Sequence, residues 1–231
     1  MTESITFDRR FHGPPDSAHG GYACGRVAAF VEGTAEVTLR RPPPLGRDLQ
    51  IVRRDGGIAL QDGDALVAEG APTGIEIDLP EPVSFREAEE ASASFSFDAP
   101  YAPACFGCGP DRKAGDGLRI FPAAVNGRDI LAAPWTPDAS LGDNEGIVRP
   151  EFFWAALDCP SGFATGIGPA RIAMLGKLAL EIVAPVEVGQ RCVITSWPLG
   201  SEGRKLYGAS ALFSEQGTLH AYAKATWVLL Q

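Results

Sequence analysis

The sequence is poor in the features that mark membrane and secreted proteins. Its apolar runs fall short of the roughly 18 to 20 residues that a membrane helix needs, and its first residues, Met1-Thr2-Glu3-Ser4, lack the basic and apolar regions of a signal peptide. We therefore expect a cytoplasmic protein without a membrane span.

Positive charge is also scarce. The chain has 20 Lys and Arg against 29 Asp and Glu, with a formal net charge of −9 and no long basic stretch. This argues against nucleic acid as a partner, because phosphate binding needs a concentrated positive surface. Three pairs, Arg9-Arg10, Arg40-Arg41 and Arg53-Arg54, could grip a small phosphate-bearing ligand or could be ordinary surface charges.

Cysteine and histidine are few, with five and three residues respectively. The odd number of cysteines favours reduced thiols over disulfides. Cys105 and Cys108 have the spacing of half a zinc site, but no second CxxC and no nearby Cys/His pair follows in the sequence. We expect a structural loop there, with no bound metal or other cofactor, and a buried Cys159. The chain has no glycine motif for nucleoside triphosphate or NAD.

What the sequence does contain is a repeat. A strand-like run ends at Pro42 and another at Pro185, and a glycine follows four residues later in both cases, at Gly46 and Gly189. Each copy then continues as strand, turn, strand, turn and strand, with a polar residue beside glycine at the turns. Such pairs favour hairpins because glycine readily takes a positive φ. The length of 231 residues allows one large or two small domains.

One apolar, helix-length segment precedes each β series, at residues 20–31 and at residues 150–163. Pro150 suits the first position of the second helix, where an N–H would be unpaired anyway. Strands are expected before the helices, at residues 5–11 for the first, and at 118–121 and 129–135 for the second. The pattern is α+β.

Four stretches carry a resemblance to a known family: GPPDSAHGGYACGRVAAF, VTLRRPPPLG, CFGCGPDRKAGDGLRIF and VRPEFFWAALDCPSGFA. The first two resemble the N-terminal half of the double-hotdog acyl-CoA thioesterase-like proteins. The last resembles the central helix of single-hotdog phenylacetate-type thioesterases, and the third resembles a strand entry common among these relatives. The resemblance implies an N-terminal hotdog at 1–79, a connector with the CxxC loop at 80–117 and a C-terminal hotdog at 118–231. In this tandem double hotdog, two curved antiparallel sheets join edge to edge and each wraps a central helix. One chain would then mimic a dimer of single hotdogs, and further self-association stays open.

The resemblance also implies a composite catalytic site. In single-hotdog relatives a glycine turn of one helix holds the oxyanion and an acid on the other helix activates water. Here the first helix has Gly20 and Gly21 at the turn but Ala28 at the acid position. The second helix has Pro150 at the turn, without an N–H, and Asp158 at the acid position. Each half retains what the other lacks, which predicts one complete site and one dead counterpart.

Other residues are assigned more loosely. His19, at the glycine turn, is a further candidate for direct chemistry. Tyr22, Phe152, Trp154 and His12 are expected to contact the substrate, with His12 one residue away from a position where relatives often have asparagine.

Three hypotheses of function follow. The first is hydrolysis of an acyl-CoA-like thioester, with Asp158 as the base. The alternative is a non-catalytic protein that binds an acyl ligand or acts as a scaffold on the same frame, and a third option is a half-assembly that works only with a partner chain. Bacterial double-hotdog enzymes use an aspartate with a threonine and a glutamine on later strands; near the corresponding places this chain has Lys177 and Ala225-Thr226, with no glutamine.

Overall fold

A computed structural model describes residues 3–96 and 102–230. Within these ranges the chain forms eleven β-strands and three α-helices. The strands of the N-terminal part are Ser4–Thr6 (β1), Ala35–Leu39 (β2), Asp48–Arg54 (β3), Gly57–Asp62 (β4) and Ala65–Pro72 (β5). Those of the C-terminal part are Ala123–Ala124 (β6), Leu131–Trp135 (β7), Ala173–Ile182 (β8), Cys192–Glu202 (β9), Lys205–Ser214 (β10) and Leu219–Leu229 (β11). The helices are Gly20–Ala28 (α1), Phe85–Ser92 (α2) and Pro150–Ala164 (α3).

All strands belong to one antiparallel sheet, in the order β1-β3-β4-β5-β2-β8-β11-β10-β9-β7-β6. Apart from the short β6, the order reads as a mirror image about its centre. The series β1, β3, β4, β5, β2 corresponds to β7, β9, β10, β11, β8. The repeat of turns found in the sequence is therefore also a repeat of topology.

The two β series meet where β2 pairs with β8. Ala35 lies opposite Leu180, and Thr38 lies opposite Lys177. The Lys177 ammonium also forms an ion pair with Glu36 across this joint, with Nζ and Oε1 2.6 Å apart. Two sheets that join edge to edge were expected. Ladder hydrogen bonds at the joint make them one continuous sheet, and the structure does not divide the strands in two.

The helices cover the sheet on both faces. Helix α1 packs on β2 and β5, α3 packs on β8 to β11, and the two helices contact each other. Helix α2 packs on β6, β7 and β9. Neighbouring residues of β7 belong to different cores: Ala132 packs with α2, and Ala133 packs in the main core. Because strand side chains alternate between faces, α2 lies on the face opposite to α1 and α3.

Several predicted boundaries differ from the structure, three of them by three residues or more. Strand β1 ends at Thr6, and a 3₁₀ turn follows because the Asp8 carboxylate caps it by accepting the N–H of Arg10 at 2.7 Å. Residues 118–121 form no strand, since Arg119 has a φ of +55°, which no extended strand allows. Helix α1 ends at Ala28 rather than at Val31. No helix of residues 3–96 and 102–230 is long and apolar enough to cross a membrane.

Candidate active site

The start of α1 is held against α3 by glycines. A Cβ added at Gly21 would lie 2.3 Å from the Trp154 carbonyl oxygen, and one at Gly25 would lie 2.7 Å from Cα of Glu151. Real Cβ atoms do not approach backbone that closely, so only glycine allows this contact between the helices. His19 is the N-cap residue of α1, and its Nδ1 accepts the N–H of Tyr22 at 3.3 Å.

Helix α3 brings Asp158 to this helix start. The Gly21 N–H donates to Oδ2 of Asp158 at 2.7 Å, and His19 Nδ1 lies 3.5 Å from the same oxygen. Asp158 is only 2% exposed, and its Oδ1 has no hydrogen-bond partner among the described residues. Burial raises the pKa of Asp158 to about 6, against the lowering effects of His19 and of the Gly21 N–H.

The two glycines of the turn have different partners. The Gly21 N–H is occupied by Asp158, whereas the Gly20 N–H has no hydrogen-bond partner within the described part of the chain. First-turn N–H groups are the unpaired donors of a helix, and the helix dipole favours negative charge beside them. The pair was expected to act together as oxyanion donors. In this structure only the N–H of Gly20 is free for that role.

The turn of α3 that carries Asp158 contains an unusual proline. Pro160 lies inside the helix, where it cannot donate a backbone hydrogen bond. Side chains satisfy carbonyls of this turn: Ser210 of β10 donates to the Leu157 carbonyl at 2.7 Å, and Ser161 donates to the Asp158 carbonyl at 2.6 Å. The Trp227 indole N–H in turn donates to the Ser161 hydroxyl at 3.0 Å. The backbone at Asp158 is thereby tied to the sheet.

A cavity of about 390 Å³ opens at this junction. His19 and Gly20 of the α1 start lie on its wall together with Asp158 and Cys159 of α3. The remaining wall is largely apolar and comes from both β series, from the end of α3 and from the loop after α3. It includes Leu39, Phe163, Ile167, Leu175, Trp227 and Val228. Size and lining are those of a small-molecule site, with few polar groups among apolar walls.

Two arginines lie at the edge of the cavity. Arg40 is paired with Glu69, with Nε and Oε2 2.7 Å apart. Arg41 also lines the cavity, is exposed, and forms no ion pair with any described residue. Its guanidinium is therefore free to meet an anionic part of a ligand.

The residues expected to contact substrate do not line this cavity. Tyr22 stacks on Phe11, with ring centroids 4.3 Å apart, and on Phe152 at 5.8 Å. Trp154 packs against Gly25 on the far side of the helix pair, and His12 lies outside the cavity wall. Both helices are apolar nearly all round, so the sequence does not tell which face a ligand would see. The aromatic residues fill the core instead.

The pseudo-symmetric counterpart of this cavity is a separate cleft. It is lined by Ala28 and Gly25 of α1, by Pro150 and Trp154 of α3, and by the end of β8. Pro150 is the first residue of α3 and has no N–H, and Arg149 provides no side-chain cap. No helix residue on this wall is a carboxylate. The counterpart thus lacks an N–H at Pro150 and a helix acid, and the acidic residue on its wall is Glu181 of β8.

The CxxC loop reaches the same site. Cys105 and Cys159 have their sulfurs 3.9 Å apart, and the Cys159 sulfur lies 3.2 Å from Nε2 of His19. Hydrogen bonds from Cys108 and Cys159 lower the pKa of the Cys105 thiol well below its ordinary value, against the effect of burial. The sequence offers Cys105 no further metal ligand nearby, but the fold brings His19 and Cys159 to it from distant parts of the chain.

Comparison with known proteins finds likeness in structure only. No protein family profile matches the sequence, and no curated protein matches it. The acyl-CoA thioesterase II TesB2 of Mycobacterium marinum superposes with a TM-score of 0.63 at 9% identity, over 100% of this chain and 96% of that one. A tesB protein of Mycobacterium avium subsp. paratuberculosis superposes with a TM-score of 0.59 at 12% identity, over 99% of this chain and 92% of that one. A conserved protein of unknown function with a hot dog fold, from Alicyclobacillus acidocaldarius, superposes with a TM-score of 0.57 at 9% identity, over 99% of this chain and 92% of that one.

The chain has the hotdog fold. Its structural neighbours over the full length include a protein with a hot dog fold and an acyl-CoA thioesterase. Identities this low show the fold and leave the activity to be argued from the site.

Sequence reasoning missed two parts of this hotdog site. The Cys105, Cys159 and His19 cluster was missed because 54 residues separate the two cysteines and 140 separate Cys159 from His19. The apolar wall was missed because it comes mainly from strands and from the end of α3. The one available signal was the Arg40-Arg41 pair, which precedes Pro42 and Pro43 of the same cavity edge.

Proposed function

We propose that this protein hydrolyses acyl-CoA-like thioesters in the cavity between α1 and α3. One observation carries the proposal: a buried carboxylate, Asp158, and an unpaired helix-start N–H, Gly20, lie together on the wall of an apolar cavity. These are the two groups that thioester hydrolysis requires, a base for water and a donor for the oxyanion. The likeness to thioesterases in fold is consistent with it.

The proposed reaction follows from the positions of Asp158 and of the Gly20 N–H. Asp158 takes a proton from a water molecule as the water oxygen attacks the thioester carbonyl. The oxyanion that forms accepts the Gly20 N–H, and the dipole of α1 stabilises the charge. When the carbon–sulfur bond breaks, the proton returns from Asp158 to the leaving sulfur. The products are a carboxylic acid and a free thiol, and Asp158 is regenerated.

The substrate would be held at two ends. The apolar wall formed by Leu39, Ile167 and Leu175 suits an aliphatic or aromatic acyl group. Arg41, at the cavity edge and without an ion pair among the described residues, suits a phosphate of the CoA moiety. The pairing of Arg40 with Glu69 leaves Arg41 as the freer cation of the two.

We further propose that the chain is a tandem double hotdog. Its units would be residues 1–79 and 118–231, with the connector at 80–117. The mirror-image strand order supports this division. A single chain would then contain both contributions to the site, the donor from the first unit and the acid from the second, and would need no partner to complete it.

The competing function is binding of an acyl ligand without hydrolysis. It is favoured by the contact between Asp158 and Gly21, since a carboxylate that already accepts a backbone N–H has only Oδ1 left for water. The cavity would be the same, but no bond would be broken.

The test is a panel of acyl-CoA esters, from short aliphatic to aromatic, measured by release of free thiol and by isothermal titration calorimetry. Hydrolysis of at least one ester well above the background rate supports the proposal. Binding of an ester without any thiol release would assign the cavity to a binding protein. If no ester binds and no thiol is released, both the hydrolysis and the binding function are overturned.

A further inference from the structure

Three potential metal ligands converge on one side of the cavity, and Cys108 lies on the wall of the same cavity. The donor atoms of His19, Cys105 and Cys159 all lie within 4.8 Å of one another, and all three residues are buried. The Cys108 thiol lies close enough to Cys105 and Cys159 to interact with both. The remaining cysteines of the chain, Cys24 and Cys192, are not part of this group.

We propose that His19, Cys105, Cys108 and Cys159 bind one Zn²⁺ ion. Three cysteines and one histidine form one of the standard ligand sets of structural zinc. Cys105 and Cys108 supply the CxxC half of the site, and the second half comes from the start of α1 and from α3. This inference is independent of the proposed hydrolysis.

The distances fit a tetrahedral zinc site. With Zn–S bonds of about 2.3 Å and Zn–N bonds of about 2.0–2.1 Å, two sulfurs should lie about 3.8 Å apart and a sulfur and a nitrogen about 3.5 Å apart. The Cys105 and Cys159 sulfurs are 3.9 Å apart, and His19 Nε2 lies 3.2 Å from the Cys159 sulfur. Small adjustments of side chains would bring an ion within bonding distance of all three.

The backbone around the cluster is shaped for this approach. The Gly109 N–H donates to the Cys105 carbonyl at 2.8 Å, which turns the CxxC segment back on itself. A Cβ at Gly107, between the two cysteines, would lie 2.6 Å from His19 Nε2 and 3.0 Å from the Cys159 sulfur. Any larger residue there would fill the space between the loop and these two ligands.

A further contact would orient the histidine. If Nε2 bonds the metal, the ring proton moves to Nδ1, which then no longer accepts the Tyr22 N–H and can instead donate to Oδ2 of Asp158, 3.5 Å away. Carboxylates commonly hold zinc-bound histidines in this way. Binding would release the thiol protons, and the charge of the ion would balance thiolates that are costly to bury alone.

Such a site would be structural. Four protein ligands leave no open position for water, so the ion would join the CxxC loop to α1 and α3 rather than take part in hydrolysis. Soft thiolates with one imidazole in tetrahedral geometry favour zinc over Mg²⁺ or Ca²⁺. His19 would then be a ligand that fixes the wall of the cavity.

The first test is the metal content of the full chain, purified without chelators from zinc-supplemented medium. We expect about one zinc per chain by elemental analysis. Cys105→Ser and Cys159→Ser should lose most of it, and Cys192→Ala, a buried cysteine outside the cluster, should retain it. His19→Asn keeps a side chain that can cap α1 but should bind zinc more weakly.

A second measurement decides the matter even if the cysteine variants fail to fold. Wild-type protein stripped of metal and titrated with Co²⁺ should develop a thiolate-to-cobalt charge-transfer band and tetrahedral visible bands at one ion per chain. Wild type without zinc and without these bands would overturn the proposal. So would full zinc content in both cysteine variants, or a Cys105–Cys159 disulfide in freshly purified wild type.

Discussion

The backbone N–H of Gly21 donates to the carboxylate of Asp158 over 2.7 Å, and this bond links two residues 137 positions apart. It joins the start of α1 to the middle of α3. It also leaves the neighbouring Gly20 N–H as the unpaired donor at the cavity and holds Asp158 in a single orientation. The proposed chemistry depends on the different roles of these two glycines: the Gly21 N–H holds Asp158, and the Gly20 N–H is left for the oxyanion.

Gly20→Pro tests the donor directly. Proline removes the N–H yet suits the first turn of a helix, as Pro150 shows for α3. Gly20→Ala is the matched control, because it adds the same Cβ near Leu175 but keeps the N–H. We expect kcat of the proline variant to be about 100-fold or more below that of the alanine variant. Equal turnover of the two variants would rule out Gly20 as the oxyanion donor.

Gly21→Ala tests the contact between the helices. The added Cβ would lie 2.3 Å from the Trp154 carbonyl oxygen, which cannot move without displacing α3. We expect unfolding free energy to fall by about 1–3 kcal/mol or more, measured as a lower urea midpoint at unchanged slope. The control is Gly74→Ala, where no atom lies within 4 Å of the new Cβ. A midpoint as high as in that control would show that α1 and α3 are not packed as described.

The repeat and the course of the strands could be predicted from the sequence. Pro42 with Gly46, and Pro185 with Gly189, mark equivalent turns because proline and glycine act locally on the backbone. The positions of both central helices were predicted for the same reason. The break at Arg119 could not be predicted, since arginine has no preference for the positive φ found there.

The site was predictable only in part. The prediction that Asp158 meets the first turn of α1 came from the resemblance to hotdog thioesterases and not from the spacing of residues alone. Tyr22, Phe152 and Trp154 do not line the cavity, and the sequence could not indicate this because an apolar helix has no polar face that would orient it. The contact of Cys159 with His19 depends on how α3 crosses α1, and tertiary packing of this kind leaves no local pattern.

Ile167→Trp tests which wall receives the acyl group. Ile167 is half-buried on the cavity wall, and a larger side chain there would shorten the space available. We expect kcat/KM for long or aromatic acyl esters to fall by about 10-fold or more, with short esters little affected. Leu199→Trp, at an exposed position, is the control. An equal loss for all esters would mean that the acyl chain does not lie against Ile167.

Arg41→Gln tests the phosphate contact. An exposed ion pair contributes about 0.2–1 kcal/mol, so KM for CoA esters should rise by up to about 5-fold. The effect should shrink in high salt and should be absent for a thioester of pantetheine alone, which lacks the nucleotide phosphates. Arg204→Gln, exposed and away from the cavity, should leave KM unchanged. A rise in KM for both kinds of ester would contradict a phosphate role.

Thioester turnover by Asp158→Asn tests directly whether Asp158 is the base. The amide oxygen of asparagine can still accept the Gly21 N–H, so the shape of the site is kept while the base is removed. We expect kcat to fall by at least about 100-fold with unchanged ligand binding, whereas Asp64→Asn, at an exposed position, should retain full activity. Turnover by Asp158→Asn within a few-fold of wild type would show that Asp158 is not the base.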